Sequence, residues 1–126
     1  MVLVDSDILI QFSRHDDKAA AWLDKTSDST KLVISVITEI ELIIGSRDKT
    51  HLKEVRQFLS KFEIIHIDEE ISRRASELIE KYCLSHRLQL PDALIAATAL
   101  ELSCDLATIN RKDFRQIEGL RLADYP

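Results

Sequence analysis

The chain has 126 residues, of which 45% are hydrophobic and 31% are charged, and this size and composition fit a single globular domain spanning residues 1–126. Its formal net charge of −5 argues against a protein that binds nucleic acid over its whole surface, although a local basic groove remains compatible with it. No apolar run has the length of a membrane span, and the first residues lack the basic flank and apolar stretch of a signal peptide, so we expect a cytoplasmic protein.

The hydrophobic pattern alternates between strands and helices along the chain. Strands are predicted at residues 2–4, 32–34, 64–67, 106–109 and 120–122. Helices are predicted directly after Asp5, with Ser6 as a candidate N-cap, and at residues 19–23, 36–44, 50–62, 69–86, 90–102 and 110–116. Ser35 and Asp68 are the predicted N-caps of the third and fifth of these helices. This alternation favours an α/β fold with three layers, α/β/α, around a parallel sheet of four to five short strands.

The helix at residues 90–102, LPDALIAATALEL, is apolar on almost every side, which predicts a buried helix. It nevertheless carries Asp92 in its first turn, where the positive end of the helix dipole favours a negative charge. The dipole explains Asp92 taken alone. A functional role for Asp92 depends on which groups lie beside the amino end of the helix.

Other acidic and amide side chains follow the predicted strands, at the sheet edge where ligands bind in this architecture. Asp5 and Asp7 come directly after the first strand, and Asn110 and Asp113 come after the fourth. Glu41 lies in the helix after the second strand, in an otherwise apolar row that we expect to face the core, where an unpaired carboxylate is costly. Structural roles remain open, because Asp5 can start a turn and Asn110 with Asp113 has the spacing of a capping box.

Converging carboxylates repel one another and raise one another's pKa, and a divalent cation removes that repulsion. Oxygen ligands without a nearby His or Cys select Mg²⁺ or Mn²⁺ over zinc, and these ions typically serve phosphoryl or phosphodiester chemistry. The histidines show no ligand-pair spacing. Cys83 and Cys104 are predicted to be buried free thiols.

Five segments in order, VLVDSDILI, SVITEIELIIG, LQLPDALIAATAL, LATINRKDF and GLRLADY, resemble PIN-domain ribonucleases of the VapC toxin type along essentially the whole chain. The resemblance implies a metal-dependent endoribonuclease in which a metal-activated water hydrolyses RNA. It implies that the metal ligands and catalytic residues are Asp5, Glu41, Asp92 and Asp113, with Asn110 in an alternative place for the fourth acid. The residues expected to surround these ligands are Ser6, Asp7, Asn110 and Thr108.

The same resemblance implies RNA as the substrate, a VapB-type antitoxin protein that inhibits the enzyme, and a homodimer without a membrane partner. Basic residues in loops or helix starts near the acidic edge are candidates for RNA contacts, although exposed Lys and Arg are common on any protein surface. These candidates are Arg14, Arg47, Lys49, Arg111, Lys112 and Arg115.

Two other functions remain open from the sequence. A haloacid-dehalogenase-like phosphohydrolase would use Asp5 as a nucleophile together with Asp7, although the chain offers no evident Lys partner for that chemistry. A noncatalytic PIN-like module would only bind a protein or RNA, and Asn110, which stands where some family members carry an acid, is the feature that favours it.

Overall fold

The computed structural model describes residues 1–126, and its strands form one parallel sheet. The strands are β1 (Val2–Val4), β2 (Leu32–Ser35), β3 (Glu63–Ile65) and β4 (Asp105–Ala107). They lie in the order β3-β2-β1-β4, and every neighbouring pair is parallel. The predicted fifth strand at residues 120–122 is wrong, because this segment pairs with the short strand β4 at a single bridge, Leu106 to Leu122.

The helices are α1 (Ser6–Ser13), α2 (Asp17–Ser29), α3 (Val36–Ile44), α4 (Lys49–Leu59), α5 (Glu69–His86) and α6 (Leu90–Leu102), followed by a 3₁₀ turn at Arg111–Asp113. Side chains that accept a backbone N–H cap most of them, and the caps at Ser35 and Asp68 agree with the prediction. The cap of α1 is Asp5 and not Ser6. None of the helices combines the length and apolarity needed to span a bilayer.

Helix α2 is longer than predicted at both ends. Asp16 caps it by accepting the N–H groups of Lys18 and Ala19, so it begins before the apolar residues. It also continues to Ser29, through a Ser- and Asp-rich segment beyond the predicted end at residue 23. The hydroxyls of Ser27 and Ser29 donate to carbonyls three residues earlier, and these bonds satisfy polar groups that would otherwise compete with the helix.

The two faces of the sheet carry separate cores, which confirms the three-layer α/β/α prediction. Leu3 points to the face covered by α5 and α6, whereas Val2 and Val4 point to the face covered by α1, α2 and α4. Cys104 is buried as predicted. Cys83 is only half-buried, because it follows Tyr82, the α5 residue that faces the core.

Strand β1 lies between β2 and β4. The chain therefore builds the sheet first on the β2 side of β1 and later, with β4, on its other side. The carboxyl ends of β1 and β4 therefore flank the point at which the strand order reverses, where α/β sheets open a crevice for ligands. Helix α6 packs along α5 and begins near this edge, and its central residues, Ile95 to Ala99, are buried, as predicted.

Candidate active site at the carboxyl edge of the sheet

Asp5 is fixed in place at the carboxyl end of β1. Its backbone N–H donates to the carbonyl of Ala107 at 2.9 Å. Its Oδ1 accepts the Ser6 N–H at 2.8 Å, and its Oδ2 accepts the Thr108 hydroxyl at 2.9 Å. The residue is 7% exposed, so the strand end, the helix start and the β4 segment together hold one buried carboxylate.

The surroundings of Asp5 disfavour its charged form. Its pKa is raised from 3.8 to about 7, mainly by burial and also by the negative charges of Asp7 and Asp92, which outweigh the hydrogen bonds from Thr108 and Ser6 that lower it. Both oxygens of the Asp5 carboxyl accept hydrogen bonds, yet its charged form is still disfavoured. A cation bound beside it would stabilise that charged form.

Asp7 connects α1 to the segment after β4. Its Oδ2 accepts the Thr108 hydroxyl and the N–H groups of Ile109 and Asn110, each at 3.1 Å. Its Oδ1 is buried and has no hydrogen-bond partner. Asp7 therefore both positions the loop that carries Asn110 and offers a free oxygen to the site, a role that the spacing of the DSD motif does not reveal.

Glu41 lies on α3, and the structure corrects its expected setting. The fully covered residue of this helix is Thr38, whereas Ile40 and Ile44 are 46% and 77% exposed and Glu41 itself is exposed. The apolar row therefore does not face the core. A helix with apolar residues on most sides carries no signal for which side is covered, which is why the prediction was wrong.

The Glu41 carboxylate still belongs to the acidic group. Partial burial raises its pKa, the charge of Asp7 raises it further, and a hydrogen bond from Ser6 lowers it. Thr38, three residues earlier and on the same side of α3, is completely buried with an unpaired hydroxyl. Sequence reasoning missed Thr38, although a lone hydroxyl one turn before an acid is a weak signal for it.

Asp92 lies in the first turn of α6 without capping it. Its pKa is raised to about 6, mainly by burial and also by the charges of Asp113, Glu41 and Asp7. The Asn110 side-chain amide donates to Asp113 Oδ2, so these two residues bond to each other and neither caps the 3₁₀ turn. The capping-box alternative is therefore wrong.

The structure thus brings the predicted acids to one edge, where negative charges raise the pKa of Asp5, Glu41 and Asp92, but no group of three or more converges at metal-ligand distances. The donor set nevertheless fits a hard divalent cation, because it consists of oxygens and because Asp7 Oδ1 is buried without a partner. The residues that could hold such an ion are Asp5, Asp7, Glu41, Asp92 and Asp113.

The candidate RNA-contact residues are exposed, as expected for surface Arg and Lys. Arg111 differs from the others, because its Nη1 donates to the carbonyl of Ala123 at 2.9 Å and its backbone follows Asn110 of the site. The remaining candidates, whose contact with RNA stays a prediction, are Arg14, Arg47, Lys49, Lys112 and Arg115.

Comparison with known proteins identifies the family. A family model described as PIN domain matches residues 2–120. Over 122 residues the chain is 40% identical to Ribonuclease VapC10 of Mycobacterium tuberculosis, and the match covers 96% of this chain and 91% of that relative. The chain belongs to the PIN domain family, in its VapC group. The resemblance predicted from the sequence is confirmed.

Solved structures of toxin–antitoxin complexes contain chains with the same fold. A toxin–antitoxin complex from Klebsiella pneumoniae contains a chain that is 33% identical, with a TM-score of 0.81 and 95% of each chain covered. VapBC2 from Rickettsia felis, bound to a DNA fragment from its promoter, matches at 25% identity with a TM-score of 0.85 and all of each chain covered. Membership of the PIN family excludes the haloacid-dehalogenase alternative.

Proposed function

We propose that this PIN domain is an endoribonuclease toxin that hydrolyses RNA phosphodiester bonds with the help of Mg²⁺ or Mn²⁺. The observation that carries the proposal is the gathering of Asp5, Glu41 and Asp92 at the strand-order reversal, where full or partial burial and neighbouring negative charges raise the pKa of each. Acids placed in this way need a cation, and RNA supplies the phosphate that such cations share.

Each residue has a distinct task in this proposal. Asp5, Glu41, Asp92 and Asp113 hold the cation. When bound, the cation supplies an activated water and neutralises charge on the scissile phosphate. Asp7 keeps the segment after β4 in position by accepting its N–H groups.

Hydroxyl and amide groups orient these acids. Thr108 donates to Asp5 at 2.9 Å and so fixes the direction in which that carboxylate faces. The Asn110 amide donates to Asp113, so an amide at this position supports the fourth acid. Ser6 favours the charged form of Glu41 by hydrogen bonding.

The cleavage test compares matched variants of α3. Purified protein, free of any partner, is incubated with labelled RNA and either Mg²⁺ or Mn²⁺. We expect cleavage by the wild type and by Glu39→Gln, and loss of at least about a hundredfold in Glu41→Gln and Asp92→Asn. Glu39 is the control because it lies two positions from Glu41 and so on a different side of the helix.

Intact RNA after incubation of the wild type with either metal would refute the enzymatic proposal. Retained RNA binding in that case would favour the noncatalytic module. Equal cleavage by the wild type and Asp92→Asn would instead remove Asp92 from the site.

We further propose that a small antitoxin protein inhibits the enzyme and that the chain forms a homodimer. The related Klebsiella structure is a toxin–antitoxin complex, and the related Rickettsia structure is that of VapBC2, which supports an antitoxin partner. Exposed apolar side chains on α3, Ile40 and Ile44, offer a surface that a second copy would cover.

Growth and mass measurements test both partners. Expression of the chain alone should arrest bacterial growth, and a genomic library from the source organism should yield a clone that restores growth and whose protein co-elutes with the chain. Light scattering should give the mass of two chains for the wild type and of one for Ile44→Glu. A monomeric wild type would refute the homodimer.

A further inference from the structure

A groove of about 710 Å³ runs along one side of α2, and the proposed chemistry does not account for it. The residues of α2 that line the groove recur at helical spacing over a length of about 16 Å, and they include Lys18, Trp22, Lys25 and Ser29. Arg111 and Tyr125, from the carboxyl-terminal part of the chain, form the opposite wall. The groove therefore brings together residues that are far apart in sequence.

Specific contacts hold the opposite wall against α2. The Trp22 Nε1 donates to the carbonyl of Asp124 at 2.7 Å, and the rings of Trp22 and Tyr125 meet edge to face with centroids 5.4 Å apart. Arg111 donates to the carbonyl of Ala123 at 2.9 Å. Two aromatic rings are thus fixed beside the groove, where rigid rings can stack with little loss of conformational freedom.

The groove begins next to the acidic site. Arg111 follows Asn110, whose N–H donates to Asp7 Oδ2 at 3.1 Å. Tyr125 lies close enough to Asp16 and Asp7 for their charges, added to burial, to raise its pKa. One end of the groove therefore lies beside the carboxylate edge.

The charge of the groove contrasts with that of the chain. Three basic side chains, Lys18, Lys25 and Arg111, face a single acidic residue, Asp124, in a protein of net charge −5. The acid next to Lys25 in sequence is Asp24, and it lines a second groove, which lies between α1, α2 and α4. The basic side of α2 is thus separated from its acidic neighbour.

We propose that this groove binds the single-stranded RNA that flanks the scissile phosphate. Lys18, Lys25 and Arg111 contact the phosphates, and a base stacks on the rings of Trp22 and Tyr125. A positively charged groove with aromatic rings is how proteins hold single strands without reading sequence. The proposal rests on the proposed function and adds a substrate path to it.

Fluorescence provides a direct test, because Trp22 is the only tryptophan of the chain. Wild-type protein in EDTA, which prevents cleavage, is titrated with an oligouridylate of about twelve nucleotides carrying an end label. We expect quenching of Trp22 emission at the same concentrations that raise the anisotropy of the label. Anisotropy that rises without quenching places the RNA elsewhere and overturns the proposal.

The salt dependence of binding tests the cations. For single strands, the slope of log affinity against log salt changes by about 0.7 for each phosphate contact, so Lys18→Ala/Lys25→Ala should reduce it by about 1.4. The control Lys53→Ala/Lys61→Ala removes the same charge from α4 and the other groove, and should leave the slope unchanged. An equal change in both pairs would overturn the groove assignment.

The ring of Tyr125 is tested by two substitutions. Tyr125→Leu should weaken binding by about fivefold or more through loss of stacking, whereas Tyr125→Phe should bind like the wild type. Equal binding by Leu and Phe variants contradicts the stacking role.

Stronger quenching of Trp22 by polyglutamate than by oligouridylate would assign the groove to an acidic protein segment and overturn the proposal.

Cleavage kinetics separate this proposal from the proposed function. With Mn²⁺ present, the Lys18→Ala/Lys25→Ala pair should raise KM with little change in kcat. If the wild type cleaves no RNA but oligouridylate still quenches Trp22 in a Lys-dependent manner, the enzymatic proposal fails and the groove stands. If cleavage depends on Asp92 but the lysine pair leaves KM unchanged, the groove proposal is refuted and the enzymatic proposal is retained.

Discussion

Replacing Asp5 by asparagine is expected to stabilise the protein while abolishing its activity. The Asp5 carboxyl is 7% exposed, and burial together with Asp7 raises its pKa from 3.8 to about 7. Because the folded carboxyl binds its proton more tightly than the unfolded one, the free energy of unfolding falls as the pH rises from about 4 to about 7. The destabilisation is complete above that range and absent below it.

The magnitude follows from the pKa shift. At about 1.4 kcal/mol for each unit, the rise from 3.8 to about 7 corresponds to about 4 kcal/mol. Asparagine keeps the acceptor for the Ser6 N–H, and the Thr108 hydroxyl can donate to Asp7 Oδ2, which lies 3.1 Å away. Losing the charged acceptor for Thr108 offsets part of the gain, so we expect Asp5→Asn to add about 2 to 4 kcal/mol near pH 8.

Urea denaturation near pH 5 and near pH 8, in EDTA, measures this effect. The wild type should lose stability between the two pH values, and Asp5→Asn should lose much less. Asp16→Asn is the control, because Asp16 also caps a helix but lies in a more exposed position. An Asp5→Asn protein that is no more stable than the wild type near pH 8 would refute the reasoning.

Thr108→Val should destabilise the protein by about 1 to 3 kcal/mol in urea denaturation and lower kcat, because it removes the buried hydroxyl whose single proton is shared between the carboxylates of Asp5 and Asp7. Phe114→Ala, at a residue that is 0% exposed, should cost about 3 to 5 kcal/mol by the same measurement, whereas Leu84→Ala, at 93% exposure, should stay within about 0.5. Mg²⁺ at about a hundred times its dissociation constant should add about 2.7 kcal/mol to the wild type in a thermal shift assay, and less to Asp92→Asn.

Local signals account for the parts of the fold that the sequence predicts well. Ser35 and Asp68 combine a capping side chain with an apolar repeat, and each marks the start of a helix to the residue. The apolar composition of α6 predicts its burial, because almost every side of that helix is apolar. The acids after β1 and β4 reach one edge because parallel strands end together.

Long-range contacts explain what could not be predicted. The exposure of Ile40 and Ile44 depends on which elements pack against α3, and composition does not encode that choice. Asp7 accepts N–H groups more than a hundred residues away. Trp22 and Tyr125 meet across a similar separation, and nothing local to either residue indicates a shared groove.

The buried alanines of α6 restrict how this protein can change. Ala96, Ala97 and Ala99 are at most 1% exposed in a helix that packs along α5, so a larger side chain at any of them would have to displace its neighbours. Each added side chain would cost about 1 to 3 kcal/mol and displace the helix that carries Asp92. If expression of the chain arrests growth, spontaneous survivors should therefore carry mutations at these alanines as often as at the acids themselves. Inactivating mutations would then be found along α6 as well as at the acidic residues.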